Sequence, residues 1–105
     1  MVEQRKNQRF ELSLPVRILR NGAGIVSYTA TTRNISSCGV LFASDADLQI
    51  SDSIEYVVTL TDMHGITVDL RCIGKVVRRQ ESSSDTHSQL IAATLDRYEF
   101  IRRAA

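Results

Sequence analysis

Short segments in which apolar residues recur at every second position constrain the fold of this chain more than any other feature. One segment covers residues 11–18, and two others cover residues 54–61 and 68–76. Successive side chains of a β-strand point to opposite faces, so this alternation is typical of half-buried strands. Asn21 and Gly22 follow the first segment and favour a tight hairpin turn. The pattern predicts a mainly β chain.

Further β-branched and apolar segments bring the total to about six strands. Short strands joined by turns predict an antiparallel barrel or sandwich over residues 11–95. After residue 95 the apolar residues no longer follow the two-residue period of a strand. Asp96 and Glu99 have the spacing of a helix capping box, and a basic pair follows where a helix would end. We therefore expect a short C-terminal α-helix over residues 96–105.

Length and charge limit the classes of function. The chain has 105 residues, 43% of them hydrophobic, which is enough for one domain core but not for two. Its net charge is +1 and its pI about 7.8, unlike the basic domains that bind nucleic acid polymers. Only 6% of residues are aromatic, and core packing explains most of them. We expect no nucleic acid polymer as partner.

The cysteines and the first residues bear on location. Cys38 and Cys72 lie far apart in sequence and do not form the framework of a small disulfide-rich domain, so we expect free thiols. The first residues are polar and charged, with no apolar run behind them. We therefore expect neither a signal peptide nor membrane insertion, and a cytoplasmic protein.

Basic residues are concentrated in residues 1–10, which we expect to form a flexible N-terminal arm. Arg5 and Arg9 are spaced RxxxR and flank Lys6. Whether the arm is irregular or helical, this spacing lets both guanidinium groups converge on one ligand. Arginine suits phosphates and guanine edges because its planar fork donates paired hydrogen bonds and stacks on bases. Taken alone, a basic terminus is more typical of a solvated tail.

A polar turn of the form NxSxxG follows the second predicted strand and covers residues 34–39. Asn34 offers an amide that donates and accepts, and Ser36 offers a hydroxyl. Gly39 permits a positive φ and a close approach of the backbone to a ligand. Ordinary turn chemistry explains the same residues. Both interpretations can hold, because the turn itself can build the site.

The RxxxR and NxSxxG motifs, in this order, resemble the PilZ domain family, the bacterial receptor domain for the second messenger cyclic di-GMP. Residues 74–78 and 98–101 are similar to weaker features of that family, so the resemblance spans nearly the whole chain. It implies a six-stranded antiparallel β-barrel with a short C-terminal helix. It also implies a cyclic di-GMP site formed by Arg5, Arg9, Asn34, Ser36 and Gly39.

The resemblance implies a receptor and not an enzyme, with no cofactor beyond its ligand. Binding would order the N-terminal arm and alter a surface offered to a downstream protein partner, in control of motility or biofilm formation. In this family a basic residue before the first arginine favours a stacked nucleotide pair, so Gln4 favours one nucleotide. Some PilZ-like domains bind no nucleotide, and the alternative function is a nucleotide-independent protein-interaction module.

Other charged residues are open to plainer interpretations. Arg78 and Arg79 either extend the anion site or end a strand in water, and we favour the second. The acidic residues of segment 45–52 lack the glycine and the terminal glutamate of a calcium-binding EF-hand loop. The two histidines lack the spacing of zinc ligands. We expect no metal site.

Overall fold

The structure is a computed structural model and describes residues 13–61, 64–81 and 89–102. Within these ranges the regular elements are all β-strands, and no helix is long and apolar enough to cross a membrane. In chain order the strands are β1 (Pro15–Asn21), β2 (Gly24–Ser36), β3 (Gly39–Ser44), β4 (Ser53–Thr61), β5 (Thr67–Glu81), β6 (Gln89–Thr94) and β7 (Arg97–Arg102).

Six of the strands close into an antiparallel barrel in the order β1-β2-β3-β6-β5-β4. The ring closes at β4, which pairs with β1 on one side and with β5 on the other. Strand β7 pairs with β5 outside this ring. The sequence is compatible with either an antiparallel barrel or a sandwich. The closed ring of strands shows that the fold is a barrel. The six-stranded antiparallel barrel is therefore confirmed.

The barrel interior is filled by one cluster of buried apolar side chains, and those from β1, β4 and β5 are ones that the alternation predicts to face inwards. Tyr56 and Phe42 are fully buried, with ring centroids 6.2 Å apart. Leu48, in the connection between β3 and β4, is also fully buried and belongs to the same cluster. Each large apolar side chain removed from water stabilises the fold by about 1.5–3 kcal/mol. The other members of the cluster are Val16, Ile18, Val40, Ala46, Ile54, Val58, Leu70, Cys72, Val76, Ile91 and Ala93.

An ionic cluster holds three strands together on the outer face. Glu55 of β4 is only 9% exposed, although it points away from the interior. Arg71 of β5 donates to its carboxylate from Nε at 2.5 Å, and Arg20 of β1 lies 3.4 Å from the other oxygen. A buried carboxylate is tolerated when its charge is paired and hydrogen-bonded in this way. The charge of Arg71 is therefore paired with that of Glu55.

Strand β5 needs a glycine where it passes the end of β6. A Cβ on Gly74 would lie 1.8 Å from the carbonyl oxygen of Thr94. Thr94 also accepts a hydrogen bond from the Lys75 backbone N–H at 2.9 Å, through Oγ1, and one from the Tyr56 hydroxyl at 3.0 Å, through its carbonyl. Only a residue without a side chain permits this close approach.

The C-terminal helix expected over residues 96–105 is wrong for Arg97–Arg102, which form β7. Residues 103–105 lie outside the described residues. Strand β5 is 15 residues long, and β6 pairs only with its C-terminal half. β7 pairs with residues 68–73, and the Asp96 N–H donates to Ile73 O at 2.9 Å. A helix of ten residues is marginal alone, so pairing with an available strand edge prevails.

We expect Gly74→Ala to lower the free energy of unfolding by about 2 kcal/mol or more, because β5 and β6 must separate to accommodate the methyl group. Gly24→Ala is the matched control, since its Cβ would meet only Asn21 O at an ordinary 3.5 Å. Urea unfolding of both variants and the parent measures the difference. Equal losses in the two variants would contradict the assigned role of Gly74.

The two cysteines are free, as expected, with Cys38 exposed and Cys72 buried. We expect one thiol per native chain to react with a thiol reagent at about pH 8 and both to react in denaturant, because burial raises the pKa of Cys72 to about 12. Cys38→Ser should abolish the native reaction. Two thiols of equal reactivity in the native protein would contradict the burial of Cys72.

The same pKa shift predicts a pH dependence of stability. Between about pH 9 and pH 12 the unfolded chain releases the Cys72 proton while the folded chain keeps it. The free energy of unfolding should therefore fall as pH rises through this range. Urea unfolding at several alkaline pH values, with Cys72→Ala as the control that lacks the thiol, tests the sign.

Candidate functional site

A β-bulge in β2 determines where Asn34 points. Thr32 pairs with Phe42, and the next pair joins Asn34 to Leu41, so Arg33 is an extra residue on β2. Simple alternation from the buried Thr32 would turn Asn34 towards the interior. Because of the extra residue, Asn34 instead pairs with Leu41, which lies on the outer face between two buried neighbours on β3. The bulge therefore brings the amide to the barrel surface.

A second bulge, in β5, acts in the same way on Arg78. Val76 pairs with Ala93, and the next pair joins Arg78 to Ala92, which leaves Val77 as the extra residue. Val76 is buried and Arg78 is exposed. Without the bulge, Arg78 would share the inward direction of Val76. The second bulge therefore adds a cation to the outer face.

The two bulges supply opposite ends of one row of side chains across four strands. Asn34 of β2 pairs with Leu41 of β3, Leu41 pairs with Ala92 of β6, and Ala92 pairs with Arg78 of β5. In a parallel row, Ser36 pairs with Gly39 and Gly39 pairs with Thr94. These rows line an open groove of about 410 Å³, together with Cys38, Val40, Val77 and Ala93.

The β2–β3 turn leaves the Ser36 hydroxyl weakly bound within the protein. Its Oγ donates to Gly39 O at 3.4 Å and accepts from Cys38 N at 3.4 Å, with Cys38 Sγ at 3.5 Å. These distances are long for hydrogen bonds made by a hydroxyl. The hydroxyl can therefore exchange these contacts for a shorter bond to a ligand.

The structure shows why a glycine is needed at position 39. Among the glycines in the described ranges, positive φ angles occur at Gly22 and Gly65, so Gly39 does not adopt the positive φ that a glycine permits. A Cβ at Gly39 would instead lie 2.9 Å from Ala93 O on β6. The glycine allows β3 and β6 to approach closely, and it keeps the groove floor low beside Ser36.

The groove has one charged side chain among its described lining residues, and this is Arg78. No described carboxylate lies within salt-bridge distance of it. The neighbouring Arg79 differs, because its guanidinium donates to Gln89 at 2.8 Å and to Gln49 at 2.9 Å. A cation beside a floor of uncharged, mostly apolar residues suits an anion with flat apolar faces.

Leu14, near the start of the described chain, is held next to the strand that carries Asn34. Leu14 N donates to Thr32 Oγ1 at 2.8 Å, and Thr32 N donates to Leu14 O at 2.9 Å. Thr32 lies two positions before Asn34 on the same strand. Arg5 and Arg9, the predicted cations of the arm, lie outside the described residues.

A second cleft, of about 400 Å³, lies beside β5 and β7 and is lined by Arg71, Ile73, Arg97, Tyr98 and Glu99. It is less suited to an anion, because Arg71 is held by Glu55 and a further carboxylate, Glu99, lines the cleft. In the described part of the chain, no three histidine, cysteine, aspartate or glutamate side chains lie close enough together to hold a metal ion.

The barrel and its outer groove define a small β-barrel binding domain. A profile of the PilZ domain family matches residues 3–96, and the chain belongs to that family. PilZ domains are binding modules and not enzymes. No curated protein sequence gives a significant match.

The fold is similar to a solved structure, the inhibitor of motility MotI/DgrA from Bacillus subtilis. The TM-score is 0.71 at 16% sequence identity, and the match covers 93% of this chain and 45% of that chain. At this identity the likeness concerns the fold alone. The chain also spans less than half the length of that protein.

Three of the five predicted site residues lie in the described part of the chain. Asn34 and Ser36 of β2 and Gly39 of β3 lie together along the groove, whereas the turn expected over residues 34–39 is confined to residues 37–38. The sequence allows two interpretations of Arg78, an extension of the anion site and a solvated strand end, and favours the second; in the structure Arg78 is exposed and also lines the groove. Its proximity depends on the β5 bulge and on the pairing of β5 with β6, for which the local sequence gives no signal.

We expect Ser36→Ala to change the free energy of unfolding by less than about 0.5 kcal/mol, because its internal contacts are long. Thr32→Val should lower it by about 1–2 kcal/mol, since Thr32 is fully buried and accepts the short bond from Leu14 N. Thermal unfolding of both variants measures the difference. A large loss in Ser36→Ala would make Ser36 a structural turn residue.

Proposed function

We propose that this chain is a cyclic di-GMP receptor whose ligand lies in the groove between Asn34 and Arg78. The observation that carries the proposal is the row from Asn34 through Leu41 and Ala92 to Arg78. Leu14, which follows the predicted arm in the sequence, is bonded to the strand that carries Asn34. Membership of the PilZ family supports the choice of ligand.

The chemistry of the groove matches the parts of the ligand. Cyclic di-GMP carries two phosphates and two guanines. The Arg78 guanidinium can bind a phosphate or the O6 and N7 edge of a guanine. The Asn34 amide and the Ser36 hydroxyl offer donors and acceptors to polar edges. Leu41 offers an apolar contact to a flat base, and the small residues Gly39 and Ala92 beside it do not obstruct that base.

The arm supplies the remaining cations. Arg9 lies five residues before Leu14, so its Cα is at most about 18 Å from the Leu14 Cα. Asn34 lies two residues beyond Thr32 on β2, a step of about 7 Å. Arg9 is therefore within reach of the groove, and Arg5, four residues earlier, reaches further along the ligand. Binding through both arginines fixes the arm against the barrel.

Fixing the arm changes the surface beside the β2–β3 turn, and we propose that a downstream protein partner recognises this changed surface. The role is that of a receptor without catalysis, in the cytoplasm. The process under control is motility or biofilm formation. The name of the structural neighbour, an inhibitor of motility, agrees with the first of these.

Isothermal titration of cyclic di-GMP into the full chain tests the proposal. We expect saturable binding near micromolar affinity, about −8 kcal/mol. Arg9→Ala and Arg78→Ala should each weaken it by about tenfold or more, because each removes a charge-assisted contact. Arg9→Lys should also weaken it, since lysine keeps the charge and loses the planar fork.

Arg17→Ala is the matched control, because Arg17 is exposed on β1 and does not line the groove. It should bind as tightly as the parent, and GTP should not compete. Unchanged binding in Arg78→Ala would remove that residue from the site. A folded parent that binds no cyclic di-GMP would refute the receptor and favour the nucleotide-independent interaction module.

A further inference from the structure

Strand β7 has one edge that no described strand covers. It is the terminal strand of the sheet order and pairs only with β5 among the described strands. The backbone N–H and C=O groups along its other edge therefore have no ladder partner in the described part of the chain. Such an edge is a template for another extended strand.

The side chains of β7 are exposed on both faces of the strand. Tyr98 and Phe100 share the face of Leu70 and Cys72, yet they are 58% and 63% exposed. Their rings pack edge to face, 6.0 Å apart. Ile101, on the opposite face, is 42% exposed. Aromatic and β-branched residues at this exposure on an edge strand are typical of a surface that a partner covers.

The charged side chains of β7 indicate the kind of strand that would fit this edge. Arg97 and Glu99 are two residues apart on a strand, so both lie on the face of Ile101. Glu99 lies 4.0 Å from Arg71 of the same chain. Opposite charges two positions apart on one face are self-complementary when the same strand runs antiparallel to itself.

We propose that β7 pairs antiparallel with β7 of a second copy of this chain, in a register centred on Tyr98. Each Arg97 then lies opposite Glu99 of the second copy. The two Tyr98 side chains face each other across the twofold axis. The sheet of one barrel continues into the sheet of the other.

Twofold symmetry restricts the registers. The axis is perpendicular to the sheet, so the residue at the centre pairs with its own copy, because paired side chains share a face. A register centred on Glu99 would oppose two carboxylates. One centred on Phe100 would leave Glu99 opposite Ile101. The register centred on Tyr98 pairs both charges, and charge complementarity selects it.

The pairing of one six-residue strand is a small interface. Interfaces below about 1,200 Å² of buried surface are weak or transient. We therefore expect reversible association that increases with concentration and weakens with salt, since its two ion pairs are exposed. The proposal does not depend on nucleotide binding, and its test uses the chain without nucleotide.

Sedimentation velocity of the full chain over a range of concentrations tests the pairing. The parent should rise from 11.7 kDa towards twice that mass. Arg97→Glu and Glu99→Arg should each remain monomeric, because each opposes like charges. An equimolar mixture of these two variants should associate again, since one variant then presents two carboxylates on this face and the other presents two guanidinium groups. The double variant should also associate.

Lys75→Glu makes the same charge change on an exposed β5 position beyond the residues that pair with β7, and it should associate like the parent. Circular dichroism checks that every variant is folded. A parent that stays monomeric throughout would overturn the proposal. So would single charge reversals that associate as the parent does, or a mixture that does not associate.

Discussion

Strand β6 ends between two glycines, and the closed shape of the barrel depends on this contact. A side chain at Gly39 of β3 would meet Ala93 O at 2.9 Å, and one at Gly74 of β5 would meet Thr94 O at 1.8 Å. The three strands are therefore closer here than side chains allow. The Tyr56 hydroxyl, from β4, binds the same Thr94 carbonyl at 3.0 Å. Four strands of the ring thus meet at one peptide segment, and β5 passes it to pair with β4, β6 and β7.

The candidate site follows from this close approach. Because Gly39 and Ala92 carry little or no side chain, the outer surface of β3 and β6 is low next to Leu41. Bulges on the two flanking strands then raise Asn34 and Arg78 at its ends. Both polar groups are held by paired strands and not by a loop. A site positioned in this way is largely formed before any ligand binds.

The sequence predicts the elements that depend on local periodicity. Alternation identifies Ile54 and Tyr56 as interior, because every strand of a closed barrel has one buried face. It fails at Asn34, since a bulge is one extra residue and leaves no mark in the pattern. The prediction from local sequence also fails after Asp96. The capping-box spacing is visible in the local sequence, whereas the edge of β5 at residues 68–73, with which β7 pairs, is not. The proximity of Asn34, Ser36 and Gly39 was predictable because they are close in sequence, although the turn between them covers only residues 37–38. Arg78 instead reaches the groove through pairing across four strands.

Strand β5 carries both proposed surfaces on separate halves. Arg78 lines the groove from the C-terminal half, and residues 68–73 hold β7 from the N-terminal half, with Gly74 between them. No described residue that lines the groove belongs to β7. The two proposed surfaces therefore share no residue, although Ser36 of the groove and Tyr98 of β7 line one further cleft between them. A pair of chains would present two grooves and two arms from one continuous sheet. A partner that contacts both at once gains affinity from the second contact without any new chemistry, provided that its binding surfaces span the distance.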